Sequence, residues 1–202
     1  MRLTLLRHGT TTWNELRLIQ GQCDESQLTT AGREQIRAVA AELARRDPDL
    51  IVASDLARTW ESAQIVAATL GLEPVADARL RERGFGTYEG RPLDDLGPRL
   101  SGVDEGRIID VDARPPLGES LAEVRARLAN FLEDLEDRST SRPLLVTHGG
   151  TIRVMRALCE SRELTGTAWY PVTNASLWEV RVSRGVTRSP RPSDHRPRRR
   201  AG

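Results

Sequence analysis

The chain has 202 residues, of which 38% are hydrophobic and 29% charged, with a net charge of +1. This composition is typical of one soluble globular domain and excludes a disordered or fibrous protein. No stretch approaches the roughly 18 apolar residues that a membrane span requires, and the N-terminus lacks the apolar run of a secretory signal. Two cysteines, Cys23 and Cys159, are too few for a disulfide framework. We therefore expect a cytoplasmic protein that does not associate with membranes.

The charges are unevenly distributed along the chain. Residues 1–180 hold 22 Arg and 28 acidic residues, a net charge of −6, whereas residues 181–202 have a net charge of +7. All 30 basic residues are Arg, which excludes Schiff-base chemistry and a Walker-type phosphate site because both need Lys. The end of the chain is polar, Pro-rich and Arg-rich. This predicts one domain over residues 1–183 and a disordered tail over residues 184–202.

Short apolar runs predict buried strands, and apolar residues at helical spacing between them predict helices. The predicted strands cover residues 3–6, 50–53, 144–147 and 177–180. Between the first two strands we predict a helix through Ile36 and Leu43 with Thr29 as N-cap, and after the second a helix over 63–70 closing at Gly71. Loops and short helices follow over 84–118, then a helix over 121–135, and a helix through Val154 and Leu158 follows the third strand. This alternation predicts an α/β fold, a three-layer sandwich with a mostly parallel central sheet.

Polar clusters follow three of the predicted strands directly. They are Arg7-His8-Gly9, Ser54-Asp55 with Arg58, and His148-Gly149-Gly150. Because the carboxyl ends of parallel strands meet at one edge of a sheet, two Arg and two His should share one crevice there. The planar guanidinium group of arginine and the N-terminus of a helix both bind phosphate favourably. A single histidine is more often structural than catalytic, but two histidines in the same strand-end context favour a functional site for a phosphorylated ligand.

With these clusters, the sequence resembles the histidine phosphatase (phosphoglycerate mutase-like) superfamily, in its phosphatase branch. The resemblance implies the phosphoglycerate mutase-like fold and covers residues 3–153. Its motifs are Leu6-Arg7-His8-Gly9 with Thr11 and Asn14, Gln20-Gly21, Leu28-Thr29 with Gly32, Ser54-Asp55-Leu56 with Arg58, Leu80-Arg81-Glu82, Phe85-Gly86 with Tyr88-Glu89-Gly90, Gly118-Glu119-Ser120, and Thr147-His148-Gly149-Gly150 with Arg153.

The resemblance also implies roles for individual residues. His8 would be the nucleophile that becomes phosphorylated, and Glu82 the general acid that protonates the leaving oxygen and later activates water. The residues that would hold the phosphoryl group are Arg7, Arg58 and His148, and the further substrate contacts would be Asn14, Gln20, Gly21 and Gly149. No cluster has metal-ligand spacing, so we expect neither a metal nor a cofactor.

Three functions remain in competition. The first is a phosphomonoesterase that acts on a small phosphorylated metabolite, and the second is a cofactor-dependent phosphoglycerate mutase with the same catalytic residues. The third is a non-catalytic anion-binding module whose basic tail contacts nucleic acid. The tail lacks interleaved aromatic residues and the body is acidic, so nucleic-acid binding is not expected. The substrate and the oligomeric state stay open, a homodimer among the alternatives.

The segment over residues 91–119 favours hydrolysis over mutase transfer. It holds four Arg and seven acidic residues, so its net charge is −3. A negatively charged segment is unfavourable for binding a second phosphate. Gly150 stands where the mutases of the family carry Asn. An arrangement with the Arg side chains turned inward and the carboxylates outward remains open. We therefore expect water to reach a phosphoenzyme.

Some positions depart from the family pattern. These are Thr10, Ser62 and Leu117, which affect the expected substrate preference rather than the chemistry. Two further carboxylates, Glu89 and Glu119, compete with Glu82 for the role of acid. We expect both to have structural hydrogen-bonding roles.

Overall fold

A five-stranded sheet forms the centre of the computed structural model, which describes residues 1–182. The strands are β1 (Arg2–Arg7), β2 (Leu50–Ala53), β3 (Pro74–Ala76), β4 (Val103–Asp104), β5 (Arg107–Ile108), β6 (Pro143–Thr147) and β7 (Leu177–Arg181). The order in the central sheet is β3-β2-β6-β1-β7, and β4 and β5 form a separate hairpin. All central neighbours are parallel except β7, which runs antiparallel to β1.

The α-helices of the described residues are α1 (Thr12–Glu15), α2 (Thr30–Arg46), α3 (Ala57–Leu70), α4 (Pro98–Ser101), α5 (Leu121–Glu136) and α6 (Gly149–Cys159). Helices α2 and α3 cover one face of the sheet, and α5 and α6 cover the other. Successive residues of a strand point to opposite faces, so Leu5 joins the core beneath α5 and α6, whereas Leu6 joins the core beneath α2 and α3. The predicted three-layer α/β sandwich with a mostly parallel sheet is confirmed.

Local sequence signals fix several boundaries of these elements. The hydroxyl of Thr29 accepts a hydrogen bond from the Gly32 N–H at 3.0 Å and caps α2, as predicted. Helix α3 ends at Gly71, whose φ of 67° lies in the left-handed region that glycine tolerates. Strand β2 has the predicted bounds.

The short strands were not predicted. Strand β3 has three residues, begins with a proline and lies at the sheet edge, so it gives no periodic pattern. Residues 84–118 contain short helices as predicted, but also the hairpin of β4 and β5, whose strands have two residues each. Periodicity needs several consecutive residues, which these elements do not have.

Two predictions concern regions and properties beyond the sheet. The tail predicted over residues 184–202 lies outside the described residues, so the domain boundary stays a prediction. In the described part of the chain, no helix combines the length and the apolar character that crossing a membrane demands.

Three neighbouring parallel strands end together at one edge of the sheet. The His8 N–H donates to the carbonyl of Thr147 at 3.0 Å, and the Ser54 N–H donates to the carbonyl of Val146 at 3.0 Å. These bonds continue the ladders of β1, β6 and β2 by one residue. They therefore place the polar residues that follow all three strands side by side.

Candidate active site

A cavity of about 460 Å³ opens at this edge of the sheet. All nine residues that the sequence singled out line it: Arg7, His8, Asn14, Gln20, Gly21, Arg58, Glu82, His148 and Gly149. They come from five separate segments of the chain. The sheet topology brings them together because β1, β6 and β2 are adjacent and parallel.

His8 presents one ring nitrogen to the cavity. Its Nδ1 lies 2.8 Å from the carbonyl oxygen of Gly9, which can only accept, so Nδ1 carries the proton. Nε2 is hydrogen-bonded to none of the described residues and keeps its lone pair. Burial, with help from the charges of Arg7 and Arg58, holds the pKa of His8 well below its usual value. The ring is therefore neutral at pH 7, as a nucleophile requires.

Two guanidinium groups beside His8 are fixed through backbone carbonyls. Arg58 donates to the carbonyls of Gly21 at 2.7 Å and Cys23 at 2.9 Å, and Arg7 donates to the carbonyl of Val172. Neither forms an ion pair with a described carboxylate, and the Nε atom of each is buried without a partner. Burial lowers the pKa of Arg58 and lowers the pKa of Arg7 to about 10, so both remain charged at pH 7.

His148 faces His8 across the crevice, with ring centroids 5.2 Å apart. Its Nε2 lies 3.0 Å from the hydroxyl of Ser54, and its Nδ1 is buried without a partner. If the hydroxyl donates to Nε2, the single proton of the neutral ring lies on Nδ1, the unpartnered atom. Burial, together with the charge of Arg58, lowers the pKa of His148 well below its usual value and keeps the ring neutral.

These side chains together form an anion site. The unpartnered atoms Arg7 Nε, Arg58 Nε and His148 Nδ1 are three buried groups that can donate to a ligand. Buried polar groups are ordinarily hydrogen-bonded, so three unused ones in a single crevice point to a ligand that accepts from all of them. Helix α6 begins at Gly149 and directs its positive end into the same crevice. A phosphoryl group, with several negative oxygens, meets these requirements.

Glu82 brings a carboxylate into this cationic site. Its Oε2 accepts from the Gly150 N–H at 2.9 Å, and its Oε1 accepts from the Arg83 N–H at 2.9 Å. Its own carbonyl accepts from Arg127 at 3.0 Å and Gln22 at 3.1 Å, which fixes the backbone. Hydrogen bonds to both oxygens thus orient the carboxylate, which lines the cavity where it could exchange a proton with a ligand.

Gly150 makes this position of Glu82 feasible. A Cβ atom at residue 150 would lie 2.3 Å from Glu82 Oε1 and 3.0 Å from its Cδ. Any residue other than glycine would therefore displace the carboxylate.

Asn174, which lies outside the sequence-predicted site, holds the loop that carries His8. Its Nδ2 lies 3.2 Å from the carbonyls of His8 and Gly9 and 3.0 Å from Asn14 Oδ1. Asn14 Oδ1 also accepts from Thr11 N–H and hydroxyl, which leaves Asn14 Nδ2 as the group available to a ligand. The missed signal is strand direction: β7 is antiparallel, so the residues before it lie at the edge where the parallel strands end.

The predicted contacts Gln20 and Gly21 line the cavity but also have internal partners. Gln20 Oε1 accepts from the hydroxyl of Ser26 at 3.1 Å, and the carbonyl of Gly21 accepts from Arg58. Gly21 has a φ of 50°, and a Cβ there would lie 2.1 Å from Glu89 Oε1. Gly21 thus allows a tight turn that fixes Arg58.

The two rival carboxylates support loops, as expected. Glu89 Oε1 accepts from the N–H groups of Gln22 and Phe85, both at 2.9 Å. Glu119 accepts from the Gly84 N–H at 2.9 Å and forms an ion pair with Arg127 at 3.0 Å. Neither carboxylate lines the cavity.

Arg153, which the sequence analysis matched to the family without a role, adds a cation to the site. Its Nε donates to the carbonyl of Tyr170 at 2.6 Å, and its guanidinium lies over the Trp169 ring, 4.3 Å from the centroid. The ideal Cβ position of Gly149 lies 3.5 Å from Arg7 Nε and 3.6 Å from Arg153 Nη1, so both groups approach the start of α6. Arg153 forms no ion pair with any carboxylate among residues 1–182.

The segment over residues 91–119 contributes only uncharged side chains to the cavity. These are Leu93, Leu96, Ser101 and Val103. The sequence left open whether the Arg side chains of this segment point into the cavity and its carboxylates away from it. In the structure, neither the Arg nor the acidic residues of this segment line the cavity. Within residues 1–182, no group of three or more His, Cys, Asp or Glu side chains could hold a metal ion.

An α/β sandwich whose strand ends bring together two buried histidines and two arginines without ion-pair partners among residues 1–182 is typical of one class of proteins, the enzymes that handle phosphate esters. The chain belongs to the histidine phosphatase superfamily (branch 1), whose family model matches residues 3–194. The family resemblance is confirmed.

Relatives within this family carry different functional names. The probable phosphoglycerate mutase GpmB of Yersinia enterocolitica is 40% identical over 158 residues, which cover 74% of this chain and 70% of that protein. The mycobacterial glucosyl-3-phosphoglycerate phosphatase, solved with VO3, is 31% identical with a TM-score of 0.76, covering 88% of this chain and 91% of that one. The phosphoserine phosphatase of Entamoeba histolytica, solved with 3-phosphoglyceric acid, is 29% identical with a TM-score of 0.72, covering 88% and 89%.

Proposed function

We propose that the protein is a phosphomonoesterase that hydrolyses a small phosphorylated metabolite through a phosphohistidine on His8. The observation that carries this proposal is the state of His8, whose proton lies on Nδ1 and whose Nε2 is free. This nitrogen shares its cavity with three buried nitrogen atoms, Arg7 Nε, Arg58 Nε and His148 Nδ1, which have no hydrogen-bond partner among residues 1–182. A neutral nucleophile inside a cationic pocket suits attack on a phosphoryl dianion.

In the first half-reaction, Nε2 of His8 bonds to phosphorus as the bond from phosphorus to the ester oxygen breaks. Glu82 gives its proton to that oxygen, and the alcohol leaves. Arg7, Arg58 and His148 donate to the equatorial phosphoryl oxygens, where negative charge is concentrated. Asn14 Nδ2 and the N–H of Gly149, at the start of α6, add further donors.

In the second half-reaction, a water molecule replaces the alcohol. Glu82, now ionised, takes a proton from this water as the water oxygen bonds to phosphorus. The bond between phosphorus and Nε2 breaks, which releases inorganic phosphate and restores the neutral His8. Splitting hydrolysis into two transfers lets one carboxyl group act first as acid and then as base.

The lining of the cavity favours water over a second substrate molecule as the acceptor. A mutase must hold a bisphosphorylated intermediate while it reorients, which needs cations for the second phosphate. The segment over residues 91–119 offers this intermediate only Leu93, Leu96, Ser101 and Val103. Two arginines from other segments, Arg17 and Arg83, also line the cavity, but Arg17 pairs with Asp94 and Arg83 donates to four backbone carbonyls. The second candidate is a phosphoglycerate mutase, which the 40% identity to a protein of that name favours.

The deciding experiment offers the enzyme 3-phosphoglycerate with catalytic 2,3-bisphosphoglycerate and follows 2-phosphoglycerate and free phosphate together. We expect phosphate release to dominate, and a panel of phosphorylated metabolites should then identify better substrates. Isomerisation about tenfold faster than phosphate release would assign the mutase function, since that ratio corresponds to about 1.4 kcal/mol in favour of retransfer. Activity that exhaustive chelation abolishes and a divalent ion restores would contradict the metal-free mechanism.

A further inference from the structure

The cavity has two chemically distinct parts. The part around His8 carries the cations of Arg7, Arg58 and Arg153, and two further arginines, Arg17 and Arg83, also line the cavity. Much of the remaining lining is apolar and consists of Trp13, Leu18, Ile19, Leu93, Leu96 and Val103, with two further aromatic rings. Because the phosphoryl group occupies the cationic part, the alcohol that leaves must contact the apolar part. We call these six side chains the apolar wall.

Three polar side chains near the apolar wall are already bonded within the protein. Arg17 pairs with Asp94 at 3.3 Å, and the hydroxyl of Ser101 donates to the carbonyl of Val103 at 3.1 Å. Arg83 donates to four backbone carbonyls, from 2.5 to 3.1 Å. A leaving group with several hydroxyls would lose its bound water here and find few replacement partners, which is unfavourable.

The positive charge of Arg153 could favour a leaving group that carries a carboxylate. However, this side chain lies beside the groups that would bind the phosphoryl group. Its Nη1 lies near Gly149 on the side that Arg7 also approaches, at the start of α6. The Trp169 ring covers one face of the guanidinium, and the carbonyl of Tyr170 accepts a hydrogen bond from its Nε. The charge of Arg153 therefore adds to the cationic part rather than to the apolar wall.

Leu93 shows that the apolar wall is not simply part of the hydrophobic core. The side chain lines the cavity, yet the residue is 51% exposed and belongs to neither core cluster. An exposed large apolar residue at the mouth of a functional cavity is available to a ligand.

We propose that the preferred substrates are phosphate monoesters of apolar alcohols, such as aryl-alkyl phosphates, rather than phosphoglycerates or sugar phosphates. This inference rests on the proposed function and specifies which alcohol leaves when Glu82 protonates the ester oxygen. The apolar part of the alcohol leaves water and packs against Trp13, Leu93 and Leu96. Such burial is favourable in proportion to the apolar area covered.

The test compares three unactivated primary alkyl phosphates: 2-phenylethyl phosphate, glycerol 3-phosphate and 3-phosphoglycerate. Their bonds to phosphorus are chemically alike, so differences in kcat/KM report how the cavity receives the alcohol. We expect 2-phenylethyl phosphate to exceed both others by about tenfold or more, the discrimination that one or two apolar groups provide in a pocket.

Matched variants locate the preference on the apolar wall. Leu93→Ser should reduce the preference for 2-phenylethyl phosphate about threefold, since it removes one apolar contact. Ile109→Ser changes a residue that is 52% exposed but lies outside the cavity, so it should leave the preference unchanged. Thermal unfolding of both variants would confirm that each remains folded.

Other outcomes are equally informative. Faster hydrolysis of 3-phosphoglycerate would assign Arg153 to a substrate carboxylate, and faster hydrolysis of glycerol 3-phosphate would assign the cavity to polyols. Either result would overturn the inference and leave the proposed phosphatase function intact. Failure to hydrolyse any of the three, with no phosphoryl adduct on His8, would overturn the proposed function and the inference with it.

Discussion

Replacing Gly150 with alanine should disable Glu82 in its proposed role as general acid without unfolding the protein. In the structure, an added Cβ would lie 2.3 Å from Glu82 Oε1, whereas ordinary contact begins at 3.4 Å. The carboxylate must therefore retreat by about 1 Å, and it can, because it ends a flexible side chain. Alanine favours a helix more than glycine does, so α6 itself should tolerate the change.

The size of the effect follows from this displacement. A misplacement of about 1 Å can cost about 100-fold in rate, or about 2.7 kcal/mol in activation free energy. The complete loss of general acid catalysis, as in Glu82→Gln, would cost about 10²–10⁴-fold. We expect Gly150→Ala to lower kcat/KM for an alkyl phosphate by about 100-fold.

The assay compares an alkyl phosphate with 4-nitrophenyl phosphate, whose leaving group needs no proton. The loss should be much smaller for the aryl ester, because only the alkyl ester depends on Glu82 as acid. Gly97→Ala is the matched control, since Gly97 has a φ of −68° and no atom within 4 Å of an added Cβ. Wild-type rates for Gly150→Ala, or an equal loss for both esters, would refute this role of Gly150.

Three further predictions concern stability and positioning. Burial lowers the pKa of both His8 and His148 in the folded protein. As the pH falls below about 6.5, these histidines therefore become protonated in the unfolded chain but not in the folded one, which favours unfolding. Each histidine should then cost about 1 kcal/mol of stability between about pH 6.5 and 5.5, because the unfolded side chain is only partly protonated in this window. His148→Asn should reduce this loss in urea unfolding, and an unchanged pH dependence would contradict the burial argument. Asn174→Ala should lower kcat/KM about tenfold, because the His8 loop loses its hydrogen bonds, whereas Asn130→Ala, at an exposed position, should leave it unchanged. Leu117→Gly should raise the Tm by about 1–4 °C, because Leu117 is 90% exposed with a φ of 61°, a strained value for leucine; an unchanged or lower Tm would argue against strain.

Long elements and strand ends were predictable from the sequence because their signals are local. The apolar runs of β1, β2 and β6 each end in a polar cluster, and parallel pairing then forces those clusters together. His8 and His148 meet for this reason, although 140 positions separate them in the sequence. The helices α2 and α3 were equally clear, since Thr29 and Gly71 mark a start and an end.

Other parts of the site depend on tertiary contacts that no local pattern encodes. Asn174 is one asparagine in an irregular segment, and its contacts with His8 and Asn14 depend on β7 running antiparallel to β1. The tight fit of Gly150 against Glu82 joins two segments with no shared pattern. The apolar wall likewise combines residues from separate loops, and net charge alone could not reveal that the charged side chains of residues 91–119 do not line the cavity.

The most direct measurement of the central claim is the detection of a phosphoryl group on His8 during turnover. Rapid acid-free quenching after mixing with a radiolabelled phosphate monoester, followed by peptide mapping, should show an acid-labile adduct on the peptide that contains His8. Glu82→Gln should accumulate this adduct with an aryl phosphate, because attack by water loses its base. His8→Ala should show no adduct and no turnover while it keeps the wild-type fold. Turnover without an adduct in the wild type, or wild-type rates in His8→Ala, would contradict the phosphohistidine mechanism.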